Sequence, residues 1–316
     1  MVKETLLPTE LYQFPDTSKA VIQALDNDRW NEKSILVHVL RLDAIHPVIS
    51  GNKWFKLQHY LQQAKQQQKK GILTFGGAWS NHLVATAYAG RQAGLATIGI
   101  VRGERPAQLY ASLKDVTDYG MQLQFVSRTD FANAGELMQK LQHQYPGYII
   151  IPQGGQGEAG VAGAAEILSL APPLPFNFQQ YSHIACAVGT GTMMAGLIKA
   201  SEPGKEVIGI SSLKISDAGN NMVQFIQQHT SSINFSLHYD FHFGGYARYN
   251  QTLLHFMNTL YIQQQLPTDF VYTGKLMYGI TQLLDNDYFE PGSRILVIHS
   301  GGLQGNRSLP AGSLVF

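Results

Sequence analysis

Apolar positions along the chain fall into short runs separated by longer amphipathic stretches. From Ile72 the alternation is regular: an apolar strand at 72–75, a helix at 81–93, a strand at 96–101, a helix at 106–119, then strand 121–126, helix 131–144 and strand 148–152. Gly94 and Gly120 stand just past two of these helices, where a left-handed closing residue is needed. A second run opens at Tyr181, with a strand at 183–188, a glycine-rich stretch at 189–196 leading into a helix, and a strand at 207–210. The last apolar strand begins at Arg294. Upstream, residues 34–42 (SILVHVLRL) read as a strand leading to the His46-Pro47 turn, 54–70 as a helix with a solvated QQAKQQQKK face, and 1–34 as short helices and loops. Strands alternating with helices predict parallel sheets joined by right-handed crossovers, hence an α/β protein. Pro172, Pro173 and Pro175 mark a joint between a helix and the next strand.

Composition narrows the class. At 316 residues the chain is long enough for two compact lobes, because single cores stop growing near ~250–300 residues. A hydrophobic content of 44% with 14% charged residues describes an ordered globular protein. The net charge of +1 gives no electrostatic basis for a nucleic-acid or acidic-membrane partner. One cysteine, Cys186, excludes an internal disulfide. The first residues lack a charged-then-apolar leader, and no run approaches ~18 apolar residues, so a cytoplasmic location is expected. His38, His46, His183, His229 and His255 lack ligand spacing and read as packing or surface residues; no metal is expected.

Candidate chemistry concentrates between Ser50 and His82. Gly51-Asn52-Lys53 sets a lysine behind a flexible turn, followed by Trp54, Phe55 and Leu57, unusual neighbours for a solvated side chain. A lysine that binds an aldehyde must be neutral for part of its cycle, which a desolvated pocket favours. Ser80-Asn81-His82 follows the 72–75 strand and Gly76-Gly77, with Ser80-Asn81 where an N-cap would sit; a helix N-terminus also suits an anion. Farther on, Gly189, Thr190, Gly191 and Thr192 form a strand-to-helix turn able to close on a phosphate. A dinucleotide fingerprint would need an acidic residue at the end of the next strand, but that strand ends in Ser211-Ser212, so a single phosphate fits better. The loop 240–249 (DFHFGGYARY) either lines a cleft or only packs.

These residues carry a resemblance. GNKWFKL followed by GGAWSNH is similar to the pyridoxal-phosphate enzymes grouped as 1-aminocyclopropane-1-carboxylate deaminase and D-cysteine desulfhydrase, of the tryptophan-synthase-β-like class (fold type II), whose pattern runs G-N-K-x-R-K-L and G-G-x-x-S-N-H. PQGGQGEAGVAG at 152–163, VYTGKLMYG at 271–279 and RILVIHSGG at 294–302 resemble further family segments. Departures are Phe55 for arginine, Thr192 for glycine, Met193 for threonine, and no asparagine after Gly154-Gly155.

The resemblance implies two doubly wound lobes with pyridoxal phosphate and substrate in the cleft between them. The smaller lobe is expected at 57–165, with 1–56 and 166–316 in the larger. Lys53 would hold the cofactor aldehyde and later move the Cα proton. Lys56 and the turn of Gly189, Thr190, Gly191 and Thr192 would take the phosphate. Asn81 would bond the ring 3′-oxygen, and Ser300 the pyridine nitrogen. Ser80 and Tyr272 would face a small amino-acid substrate, a homodimer being the family's habit. The expected reaction is a β-elimination giving a 2-oxo acid and ammonia. Val297 stands where the resemblance implies a second tyrosine needed for cyclopropane opening, which disfavours that alternative. A non-catalytic pyridoxal-phosphate protein would not need Ser80 or Tyr272, and a nicotinamide oxidoreductase would not explain Lys53.

Overall fold

Ten strands among the described residues divide between two sheets. The computed structural model describes residues 14–170, 177–214, 221–230 and 234–316; the expected joint at 172–175 lies outside them. The larger sheet has the order β1-β2-β10-β7-β8-β9, built from β1 (Val21–Leu25), β2 (Leu36–Arg41), β7 (His183–Val188), β8 (Glu206–Ser211), β9 (Asn234–His238) and β10 (Arg294–His299). All neighbours in it are parallel except β1 and β2. The smaller sheet is wholly parallel, in the order β5-β4-β3-β6, with β3 (Gly71–Gly76), β4 (Ala96–Arg102), β5 (Gln122–Val126) and β6 (Tyr148–Ile151).

Both faces of the larger sheet are covered, as a parallel sheet requires. Ile184, Cys186, Val188, Leu296 and Ile298 belong to one buried cluster, whereas Ala185, Ala187, Ile295 and Val297 belong to another. The period-two side-chain alternation of a strand sends neighbours to opposite faces. The helices are α1 (Asp28–Glu32), α2 (Asn52–Gln66), α3 (Asn81–Gln92), α4 (Ala111–Asp118), α5 (Arg128–Ala132), α6 (Ala134–Gln144), α7 (Glu158–Ala165), α8 (Thr192–Ala200), α9 (Asn221–Gln228), α10 (Gln251–Gln264) and α11 (Thr273–Asp285). Gly160 and Gly163 let α7 press on its neighbours. A Cβ on either would stand 1.8 Å from a carbonyl oxygen, of Gly155 and of Phe55 respectively.

Four expectations need correction. Residues 21–25 form an edge strand rather than helix or loop; only Leu25 is buried there, so pairing with β2 rather than its own pattern fixes it. The helix expected at 54–70 is α2 and starts at Asn52, which puts Lys53 in its first turn. The helix expected at 106–119 starts at Ala111, because 106–110 buries no side chain while Ser112, Leu113 and Val116 do. The helix expected at 131–144 is two, broken at Asn133, whose ψ of 51° is not helical.

Each sheet has one place where the chain's winding reverses. In the larger sheet β7 is followed outward by β8 and β9, while its other neighbour is β10; in the smaller, β3 is followed by β4 and β5, while its other neighbour is β6. Crevices at the carboxyl ends of such strand pairs are the expected ligand sites of open α/β sheets.

Candidate active site

The segments after β2 and β10 meet backbone to backbone, and the segment after β3 joins them through a side chain. Gly51 N–H donates to the Leu42 carbonyl at 2.8 Å, and Asn52 N–H to the Ser300 carbonyl at 3.3 Å. Gly51 has φ +63°, and a Cβ there would lie 1.9 Å from the Ser300 oxygen, so only glycine permits this approach. Asn81 Nδ2 donates to the Gly302 carbonyl at 3.4 Å. Three segments far apart in sequence thus make one corner.

Lys53 stands on that corner and opens into a cleft of about 360 Å³ between the sheets. Its Nζ donates to Asn52 Oδ1 at 2.5 Å and lies 5.9 Å from the centre of the Tyr272 ring. Burial lowers its pKa to about 8, partly offset by the Asp269 charge. The α2 N-terminus carries no acidic residue in its first turn, and its positive end further disfavours an ammonium. Lys56 is pulled to about 7, by burial and then by the Lys53 charge. His82 is pushed down to about 3 by burial and by both lysines, and its Nε2 pairs with Thr74 Oγ1 at 2.9 Å.

Ser80 caps α3, its Oγ accepting from Leu83 N–H at 3.2 Å, and it also faces the cleft. Asn81 is buried and its Oδ1 has no partner among the described residues, an orphan acceptor on the cleft wall. From the larger sheet come Gly189, Thr190 and Gly191 after β7, and Ser300 after β10. Thr192, the first residue of α8, does not itself line the cleft: its side chain is fully buried and its hydroxyl shares a 2.9 Å hydrogen bond with that of Thr190, so only its backbone, the part expected to serve, is left to the turn.

Tyr272 lines the cleft at the entry to α11 and is set there by Asp269, a residue that sequence reasoning missed. The fully buried Asp269 carboxylate accepts from the N–H groups of Val271, Tyr272 and Thr273 at 2.9–3.0 Å and from the Thr273 hydroxyl at 2.8 Å. Burial raises the Tyr272 phenol well above its ordinary value, with smaller contributions from Tyr246 and Asp269. Tyr246, also missed, comes from the 240–249 loop; it faces the cleft with its ring edge-on to that of Tyr272, the ring centres 6.1 Å apart. The Gly-aromatic composition of that loop was the available signal. Val297, by contrast, is fully buried between Val39 and Ala185 and does not line the cleft. The absence of a phenol at 297 therefore does not decide against cyclopropane opening, since a second phenol is present.

Behind Ser300, His299 Nδ1 lies 2.9 Å from Asp43 Oδ1 and its Nε2 lies 2.9 Å from the Pro267 carbonyl oxygen. Arg41 grips the same carboxylate at 2.8 and 2.6 Å. Burial alone would raise Asp43, but the hydrogen bonds from Arg41 and His299 hold it well below the carboxylate range.

An aldehyde phosphate would find here a half-buried amine, a glycine-rich turn at a helix N-terminus and an unpartnered amide oxygen, so the residues fit pyridoxal phosphate. Two crevices facing each other across a lysine are the arrangement of the fold type II enzymes that use it. The chain belongs to the family described as pyridoxal-phosphate dependent enzyme, which matches residues 29–301. It is 26% identical over 280 residues to the mitochondrial bifunctional D-cysteine desulfhydrase/1-aminocyclopropane-1-carboxylate deaminase of Arabidopsis thaliana, covering 81% of this chain and 70% of that one. It is 25% identical over 284 residues to a D-cysteine desulfhydrase of Klebsiella pneumoniae, covering 84% and 86%. The crystal structure of an ACC deaminase homologue superposes with a TM-score of 0.75 at 23% identity, over 94% of this chain and 92% of that one. Among the described residues, no group of three or more His, Cys, Asp or Glu is placed to hold a metal, and no helix is long and apolar enough to cross a membrane.

Proposed function

We propose that this chain is a deaminating lyase of small amino acids, similar to D-cysteine desulfhydrase, which expels a β-substituent and yields a 2-oxo acid and ammonia. The observation that carries the reading is the depressed amine of Lys53 in one cleft with Ser80, Tyr246 and Tyr272. Lys56 and the N–H groups after β7 hold the cofactor phosphate, Asn81 its ring oxygen and Ser300 its pyridine nitrogen. Pyridoxal phosphate held there would supply the electron sink that eases loss of the substrate's Cα proton. Lys53 would hold the aldehyde of the cofactor and would move the Cα proton of the substrate, a task suited to an amine near neutrality. The Ser80 hydroxyl and the α3 N-terminus orient the substrate carboxylate. The phenols of Tyr246 and Tyr272, whose rings meet edge-on in the cleft, deliver a proton to the departing group.

The test is a panel of D- and L-amino acids assayed for 2-oxo acid and ammonia with cofactor present; no turnover of any member sinks the proposal. A second reading, deamination of 1-aminocyclopropane-1-carboxylate, is favoured by the presence of two phenols and is decided by including that compound. The division into a smaller lobe at 57–165 is supported by the confinement of the small sheet to 71–151. A homodimer in the cytoplasm completes the reading; size-exclusion chromatography with light scattering and cell fractionation test those two points.

A further inference from the structure

Three cationic side chains line the cleft, Lys53, Lys56 and Arg102, and no carboxylate does. The two lysines can shed their protons near neutrality, because burial lowers them. A guanidinium cannot, so Arg102 is the permanent cation of the cleft. Arg102 ends β4, beside β3 in the smaller sheet, whereas the phosphate turn follows β7 in the larger one. Among the described residues its guanidinium has no hydrogen-bond or ion-pair partner, unlike Arg41 on Asp43 or Arg307 on Asp115.

An arginine fork facing a cavity without a carboxylate is a receptor for an anion. On the reading above, the cofactor phosphate is taken by Lys56 and the turn after β7, and the substrate α-carboxylate by the N-terminus of α3. Neither needs Arg102. We infer that Arg102 receives a second anion, carried at the far end of the substrate side chain, so that the preferred substrates are amino acids ending in a carboxylate, sulfonate or phosphate. This rests on the proposed function and narrows its substrate class.

The test uses matched pairs that differ in that charge: aspartate with asparagine, glutamate with glutamine, and O-phosphoserine with serine, in both enantiomers. Each is titrated into the cofactor-loaded enzyme, and Kd is read from the change in the visible band. At least one anionic member should bind about tenfold or more tightly than its neutral partner. Arg102→Gln should erase that difference while changing the Kd of alanine by no more than about twofold, and Arg102→Lys should retain part of it. The preference should also shrink with added salt, a readout on the wild-type enzyme that stands even where a variant fails to fold. Equal binding of all pairs overturns the inference and leaves the lyase reading intact. Equal weakening of alanine and the acidic amino acids by Arg102→Gln also overturns it, since Arg102 would then serve the α-carboxylate. A wild-type protein that forms no visible band with pyridoxal phosphate overturns the parent reading, and this one with it.

Discussion

Lys275 Nζ donates to the carbonyl oxygen of Gly245 at 2.7 Å, which ties α11 to the 240–249 loop from inside the protein. Lys275 is completely buried. Tyr272 precedes it by about one helical turn and Tyr246 follows Gly245, so this bond ties together the two segments that carry the phenols, beside the Asp269 bonds that hold the entry to α11. Lys275→Met is expected to lower kcat more than it raises KM, and to cost about 1–3 kcal/mol because the Gly245 carbonyl loses its partner. Urea unfolding and steady-state kinetics measure both. Burial lowers the Lys275 pKa to about 8, below its unfolded value of 10.5. Between those two pH values the unfolded chain binds more protons, so wild-type stability should rise with pH there, and the rise should be shallower in the methionine variant, in which only Lys53 and Lys56 still contribute to it.

Attachment of the cofactor should follow the neutral fraction of Lys53. With the amine at about 8, the rate at which the visible band appears on adding pyridoxal phosphate should climb through neutral pH and level off above about 8. An ordinary lysine would still be climbing near pH 10. Lys53→Ala should abolish the covalent band. A rate profile still rising above pH 9 would refute the burial argument.

The corner at Gly51 predicts a sharp contrast between two glycines of nearly equal φ. Gly51→Ala drives a Cβ into the Ser300 carbonyl and should cost about 2–4 kcal/mol and most cofactor binding. Gly94, at φ +66°, has open space where a Cβ would go, and Gly94→Ala should cost only about 1 kcal/mol, with the visible band unchanged. Thermal melts and band intensity compare the two.

Removing one phenol at a time separates the two lyase readings. Tyr272→Phe is expected to lower turnover of every substrate by about a hundredfold or more. Tyr246→Phe should spare the release of a good leaving group, such as the sulfide of cysteine, within about tenfold. It should suppress cyclopropane opening far more, because a carbon leaving group needs a proton at that instant. Equal effects on both substrates would show that Tyr246 acts only by packing.

Much of the fold was legible because buried parallel strands advertise themselves: 72–75, 96–101, 183–188 and 294–299 are apolar runs bounded by glycine or polar residues. Strand β1 was not, since its burial is conferred by β2 and not by its own pattern. The lysine, the serine-asparagine pair and the glycine turn were singled out by the paired motifs of the resemblance, since each alone reads equally as a surface lysine, an N-cap or a plain strand-to-helix turn. Asp269 was hidden because its importance lies in four short hydrogen bonds to local groups, which one acidic letter does not reveal. Tyr246 and Arg102 were hidden for another reason. A loop tyrosine and a strand-end arginine look like ordinary surface until the second sheet is set across from them.

The close seating of α7 has a bearing on redesign. Its Gly160 and Gly163 touch main-chain oxygens and leave no room for even one added methyl, so any side chain placed at Gly163 would have to displace α2, the helix that bears Lys53. Altered selectivity must be sought at Arg102 on the β4 rim and at Tyr246, which line the cleft and are exposed, whereas Phe241 and Phe243 of the same loop pack on Tyr278.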